Sequence, residues 1–273
     1  MNYYFQKMYC ILSIFFLILN YEAVLAQNRI IGGRETTIER FPHMLRLQVG
    51  RRGSNLISAC GASIISREWG LTAAHCFDNE ETDYNKISVI AGTTDIQNLA
   101  KTAKQHKVIK VTRNPYYVKS NDNRKIGGDI AVIKVNPPFT FNNVIQPIRL
   151  PQRGLALKTN SAIISGWGHI KPGGPGSDKL RAVSVPKVEL NQCRQKYLEG
   201  NLKLKEGEIC YGYNNGANVR DKCQGDSGGP LINRDKVELG LVSWGVECGT
   251  KGYPGVYTDV LYFRDWIKQQ TGI

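Results

Sequence analysis

Cys223-Gln224-Gly225-Asp226-Ser227-Gly228-Gly229-Pro230 sets one serine among three glycines and a proline. A serine hydroxyl is a poor nucleophile at its own pKa and needs an adjacent base. The glycines let another backbone approach closely and leave N–H groups free to stabilise an oxyanion. Read alone, the octapeptide is only a glycine-rich turn. Two other stretches change that. Leu71-Thr72-Ala73-Ala74-His75-Cys76 supplies a histidine, the natural base at neutral pH. Gly128-Asp129-Ile130-Ala131-Val132-Ile133 supplies a carboxylate ahead of an apolar run. A buried carboxylate holds a histidine in the right tautomer and stabilises the imidazolium. Singly, His75 reads as a structural histidine and Asp129 as a residue at the start of a strand. Together they form a constellation for acyl transfer.

With these surroundings, in the order His, Asp, Ser, the chain resembles the chymotrypsin/trypsin family of serine endopeptidases. The resemblance runs from Ile30 to near the last residue. It takes in Ile30-Ile31-Gly32-Gly33, Ser165-Gly166-Trp167-Gly168, Ser243-Trp244-Gly245 and Pro254-Gly255-Val256-Tyr257. It implies an all-β fold of two six-stranded antiparallel β-barrels with the active site between them. It also implies roles: Ser227 as nucleophile, His75 as general base and then acid, Asp129 as the orienting carboxylate. The N–H groups of Gly225 and Ser227 would form the oxyanion hole, and Ser243, Trp244 and Gly245 would run beside the substrate backbone.

The residues support that class independently. Short β-branched or alternating runs recur at 44–49, 62–65, 87–91, 107–112, 130–135, 162–165, 236–242 and 255–257, with Gly, Pro, Asn and Asp between them. Many short strands with turn signals predict a β-sandwich or barrel. Tyr262, Phe263, Trp266 and Ile267 recur at helical spacing and predict a C-terminal helix over 260–270. A shorter helix is predicted at 190–197.

Residues 1–26 have the layout of a secretory signal peptide: Lys7, an apolar run from Cys10 to Leu19, and small residues ending at Ala26. The run is too short to span a membrane, which needs about 20 residues. The expectation is secretion into an oxidising compartment, with no membrane attachment. Cys10 leaves with the leader, and Cys60, Cys76, Cys193, Cys210, Cys223 and Cys248 remain. An even count in a secreted chain reads as disulfides, in any of 15 pairings. The resemblance implies Cys60–Cys76, Cys193–Cys210 and Cys223–Cys248. It further implies a zymogen. Residues 27–29 would be the propeptide and 30–273 the protease domain. Cleavage after Arg29 would free the Ile30 amine to pair with Asp226.

Specificity turns on Asp221, six residues before Ser227, where the resemblance implies a carboxylate at the pocket base. Gly245 and Gly255 match the pocket walls and leave room for a long side chain. These residues predict cleavage after Arg or Lys. Lys222 departs from the small residue usual beside that carboxylate. It either neutralises Asp221 or carries its ammonium to solvent on a flexible stem. Glu247 is a candidate counter-charge. The alternative is an apolar or acidic preference.

The chain has 273 residues and a formal charge of +13. Charge of that size speaks to partners and solubility rather than to fold. Arg51, Arg52, Lys101, Lys104, Lys107, Lys110 and Arg113 are the candidate for a basic exosite, for acidic proteins or heparin-like polymers. On a regular strand, three-residue spacing would put alternate lysines on opposite faces. No nucleic-acid motif accompanies the charge. No cofactor or metal is expected: CxxC and HxxxH spacings are missing, and Asp95 is the lone acid across 93–111, too few for a calcium loop. No Asn-x-Ser/Thr sequon occurs. The expected partners are protein or peptide substrates and macromolecular protease inhibitors, and the expected state is a monomer. The rivals from another class are a catalytically dead binder and a basic polymer-binding protein with little proteolysis. The first would ordinarily have lost His75 or Ser227.

Overall fold

The computed structural model describes residues 31–55, 57–117, 127–214 and 219–273. The leader, Arg29 and Ile30 lie outside the described residues. In chain order the strands are β1 (Arg34–Glu35), β2 (Met44–Arg51), β3 (Ile57–Ile64), β4 (Trp69–Thr72), β5 (Thr82–Ala91), β6 (Lys104–Arg113), β7 (Ala131–Asn136), β8 (Ser161–Gly166) and β9 (Arg181–Val188). Then follow helix α1 (Leu190–Glu199), β10 (Glu208–Tyr211), β11 (Tyr213–Asn214), β12 (Val219–Arg220), β13 (Pro230–Ile232), β14 (Glu238–Trp244), β15 (Gly255–Asp259) and helix α2 (Arg264–Thr271).

Strands β2-β3-β4-β7-β6-β5 close into one antiparallel barrel. The second closes as β8-β9-β10-β15-β14-β13, because β8 pairs with β9 as well as with β13. The alternation predicted from the sequence explains the first. Leu45, Leu47 and Val49 point inward from β2 and meet Ala91, Val89 and Ile87 of β5 in register. Each such burial contributes roughly 1.5–3 kcal/mol. In β9, Val183 and Val185 are buried while Ser184 between them is exposed. Closure leaves almost no open strand edge.

Two sequence-based boundaries shift. The last helix begins at Arg264, not at 260, because the Asp259 carboxylate accepts the N–H groups of Leu261 and Tyr262 and holds a turn there. Tyr262 is consequently half exposed rather than part of the apolar face. The other is α1, which runs on through Glu199 to Gly200. Strand β9 carries Pro186, a residue that demotes a strand in a sequence reading.

The barrels meet along a seam of polar contacts. The Gly61 N–H donates to the Ser227 carbonyl at 2.7 Å, and the Ser63 hydroxyl donates to the Glu238 carboxyl at 2.8 Å. Three disulfides join Cys60–Cys76, Cys193–Cys210 and Cys223–Cys248. Among the described residues no helix is long and apolar enough to cross a membrane.

Candidate active site

Each barrel contributes part of one cleft. His75 sits in a short 3₁₀ turn, Ala74–Phe77, just after β4, and Cys76 beside it is tethered to β3 by its disulfide. Asp129 precedes β7, which pairs with β4, so the two residues emerge from adjacent strands. The His75 Nδ1–H donates to Asp129 Oδ2 at 2.7 Å, and the His75 backbone N–H donates to Oδ1 at 2.9 Å. Asp129 is 2 % exposed, and 26 % of the His75 side chain remains open. Burial alone would disfavour the imidazolium. The Asp129 charge and hydrogen bond outweigh it, with Asp78 adding to them, so the His75 pKa lies above its ordinary value. Burial likewise opposes ionisation of Asp129. The His75 charge and the bonds from His75 and Ser243 overcome that and hold its pKa down.

Ser227 lies on the second barrel, between Cys223 and β13. Its carbonyl is fixed by Gly61 and lies 3.8 Å from the Cys76 sulfur, which brings it beside the His75 turn. No hydrogen bond joins the Ser227 hydroxyl to His75 among the described residues. Unliganded catalytic contacts are often long. Neither the Gly225 nor the Ser227 N–H has a hydrogen-bond partner among the described residues, and Gly225 holds φ +89°, a value ill suited to other residues. Both donors remain available to an anion.

Asp226 is fully buried beneath this loop. Its oxygens accept the N–H groups of Gly168 at 2.9 Å and Cys223 at 3.0 Å. Burial still dominates and pushes its pKa up to about 6. A Cβ on Gly168 would fall 2.4–2.6 Å from that carboxyl group, so this position admits only glycine. On the other side, the Asp221 N–H donates to the Ile31 carbonyl at 3.2 Å, docking the start of the described chain beside the pocket.

At the expected pocket base, Asp221 Oδ1 accepts the Lys222 N–H and Oδ2 the Gly249 N–H, each at 2.8 Å. Burial raises the Asp221 pKa against the opposing Lys222 charge, and burial lowers that of Lys222 against Asp221 and Asp226. No ion pair joins Lys222 to Asp221 among the described residues, and the residue keeps only 8 % of its surface exposed. It is buried, with its Nζ against Gly245. Glu247 is exposed and forms no ion pair with it.

Four supporting contacts escaped the sequence reading. The Ser243 hydroxyl donates to Asp129 Oδ2 at 2.6 Å, and the Thr258 hydroxyl donates to the Asp129 carbonyl at 2.7 Å. Trp244 donates its indole N–H to Glu208 at 3.0 Å, and its ring packs edge-on against Tyr197 with centroids 5.0 Å apart. Burial raises the Glu208 pKa to about 7. Cys60, His75 and Cys76 lie close together, but the two sulfurs are joined to each other and offer no thiolate to a metal.

The family described as Trypsin matches residues 30–267. The chain is 34% identical over 254 residues to "Trypsin 5G1" of Aedes aegypti, covering 93% of this chain and 89% of that one. It is 35% identical over 243 residues to "Trypsin-1" of Astacus astacus, covering 88% and 98%. It is 34% identical over 260 residues to "Trypsin, alkaline A" of Manduca sexta, covering 93% and 97%. With two barrels, a cleft at their seam and this match along nearly its whole length, the chain belongs to the trypsin family of serine endopeptidases.

Proposed function

We propose that this protein is a secreted zymogen that hydrolyses peptide bonds through Ser227, His75 and Asp129. The observation that carries the reading is the two-point hold of Asp129 on His75, beside a serine loop whose N–H groups are free. His75 takes the Ser227 proton as Oγ attacks the scissile carbonyl, and the oxyanion is held by the Gly225 and Ser227 N–H groups. His75 then gives that proton to the leaving amine, and an acyl-enzyme remains on Ser227. Water, deprotonated by His75, releases the acid and restores the serine.

Residues 1–26 are the leader and 27–29 the propeptide of the domain 30–273. Cleavage after Arg29 frees the Ile30 amine to pair with Asp226, whose pKa burial pushes up to about 6 despite the charges of Arg46 and Lys222. The bond from the Asp221 N–H to the Ile31 carbonyl supports this, because it fixes the first described residue close to the serine loop's own segment. Asp221, with Gly245 and Gly255 leaving space, supports Arg or Lys before the scissile bond. The enzyme works as a monomer on protein or peptide substrates and is subject to macromolecular inhibitors.

A basic exosite is supported in part. Lys104, Lys107 and Lys110 are all exposed: Lys107 points outward by alternation, Lys104 opens the strand, and a register shift between Val108 and Lys110 keeps Lys110 from turning inward. Arg51 contacts the Ser58 hydroxyl at 3.3 Å, Arg52 caps the Glu80 carbonyl, and Arg113 pairs with Asp78. The lysines therefore form the part of the patch open to an acidic protein or heparin-like polymer.

The test is activation. Cleavage that gives a new N-terminus at Ile30 should coincide with the appearance of peptidase activity, and Arg29→Gln should stay inactive in the same preparation. Full activity of uncleaved Arg29→Gln protein would overturn the zymogen reading.

A further inference from the structure

Gly245 and Gly255, the two pocket-wall glycines, face opposite charges. A Cβ on buried Gly255 would lie 2.8 Å from Asp221 Oδ1. A Cβ on half-buried Gly245 would lie 2.8 Å from Lys222 Nζ and 3.5 Å from its Cε. The carboxylate thus occupies the floor, and the ammonium crosses toward the wall nearer the mouth. Lysine is rarely buried without a partner. Lys222 is 8 % exposed, and its Nζ has no hydrogen-bond partner among the described residues. Three of the polar groups around it, Asp221, Asp226 and the Tyr197 hydroxyl, are engaged elsewhere, while the buried Tyr257 hydroxyl has no partner among the described residues. Asp221 is held by two backbone N–H groups, and Asp226 by Gly168 and Cys223. The Tyr197 hydroxyl donates to the Pro254 carbonyl at 2.6 Å. The Tyr257 hydroxyl lies at the floor, 3.0 Å from the same Gly255 point. His75 feels the Lys222 charge across the cleft.

We propose that Lys222 is a specificity-determining gate: its ammonium stands between the pocket mouth at Gly245 and the carboxylate of Asp221, so a basic substrate side chain reaches Asp221 only by displacing a like charge. The proposal rests on the reading of Asp221 as the partner of that side chain. A like charge in a partly dry pocket is costly to approach. The gate therefore throttles cleavage after Arg and Lys without touching the acyl-transfer machinery. Arginine tolerates it better than lysine, since a planar fork of five donors has more ways to reach Asp221 past a displaced amine. Neutral side chains that stop short of the floor do not meet the penalty.

The experiment compares activated wild type with Lys222→Ser and Lys222→Met on one peptide series carrying Arg, Lys, Gln or Phe before the scissile bond. Counting Ser227 sites by burst titration corrects for any misfolded fraction. The Met variant keeps the length of the side chain and removes the charge. Both variants should raise kcat/KM on Arg by roughly 10- to 100-fold relative to Gln and Phe, mostly through KM. Benzamidine, an aryl amidinium that probes the pocket alone, should bind both variants more tightly than wild type. Unchanged Arg cleavage in both variants would overturn the gate. A gain in the Ser variant alone would overturn its electrostatic basis and leave a steric plug. Preference of wild type and both variants for Gln or Phe over Arg would instead overturn the underlying assignment of Asp221.

Discussion

The Asp129 carboxylate holds His75 at two points, with one oxygen on the ring Nδ1–H at 2.7 Å and the other on the backbone N–H at 2.9 Å. A two-point hold fixes both tautomer and ring orientation, and leaves Nε2 as the sole free nitrogen. Ser243 and Thr258 fix Asp129 in turn from the second barrel. The orientation of the base therefore depends on both barrels being assembled.

Asp129→Asn should keep the fold and lower kcat by roughly 10³–10⁴-fold, because the amide favours the wrong tautomer. The same change should move the acid limb of the pH profile. In the proposed role His75 acts as base only when neutral, so activity should fall as pH drops through its pKa, which Asp129 holds above the ordinary value. Without that charge the limb should shift to lower pH. Steady-state kinetics from pH 5 to 9 on both proteins checks this, and an unmoved limb would count against Asp129 as the cause.

Gly168→Ala should disable activation without blocking cleavage. The added methyl group meets the Asp226 carboxyl at 2.4–2.6 Å and must push it from the Gly168 and Cys223 N–H groups. We expect normal processing at Arg29 with peptidase activity lower by at least about 10²-fold, the scale of losing one oxyanion donor.

The proposed site was legible in residues 71–76, 128–133 and 223–230, because acyl transfer demands a nucleophile, a base and a carboxylate with defined neighbours. The barrels were legible as a class, from alternation and turn residues. What stayed hidden depends on contacts distant in sequence or on a choice of rotamer. Thr258 touches Asp129 across 129 positions, and nothing local marks it. Glu208 beneath Trp244 looks like any surface acid until β10 is placed beside β15, the neighbour of β14. Lys222 was visible as a departure, but a flexible stem has no direction in a sequence. The Val108/Lys110 register shift likewise overrode strict two-residue alternation in β6.

Glu238→Gln should flatten the pH dependence of stability. Burial at the barrel seam raises the Glu238 pKa to about 8, against the lowering bond from Ser63. A raised carboxyl stays protonated in the folded protein while the unfolded chain ionises it. The folded state then binds more protons, so stability falls as pH rises from about 4.5 to 8. The loss over that window is about 3–5 kcal/mol. Thermal or urea unfolding at pH 5 and pH 8.5 should show a smaller drop for the Gln variant. Equal drops in both proteins would place the titrating group elsewhere.

The most direct test of the catalytic account is covalent labelling of the activated enzyme by a fluorophosphonate, followed by peptide mapping. The account predicts one label per molecule, on Ser227, abolished in Ser227→Ala and in uncleaved zymogen, with peptidase activity lost in step with labelling. Peptidase activity that survives in purified Ser227→Ala protein, or a label on another residue, would contradict it.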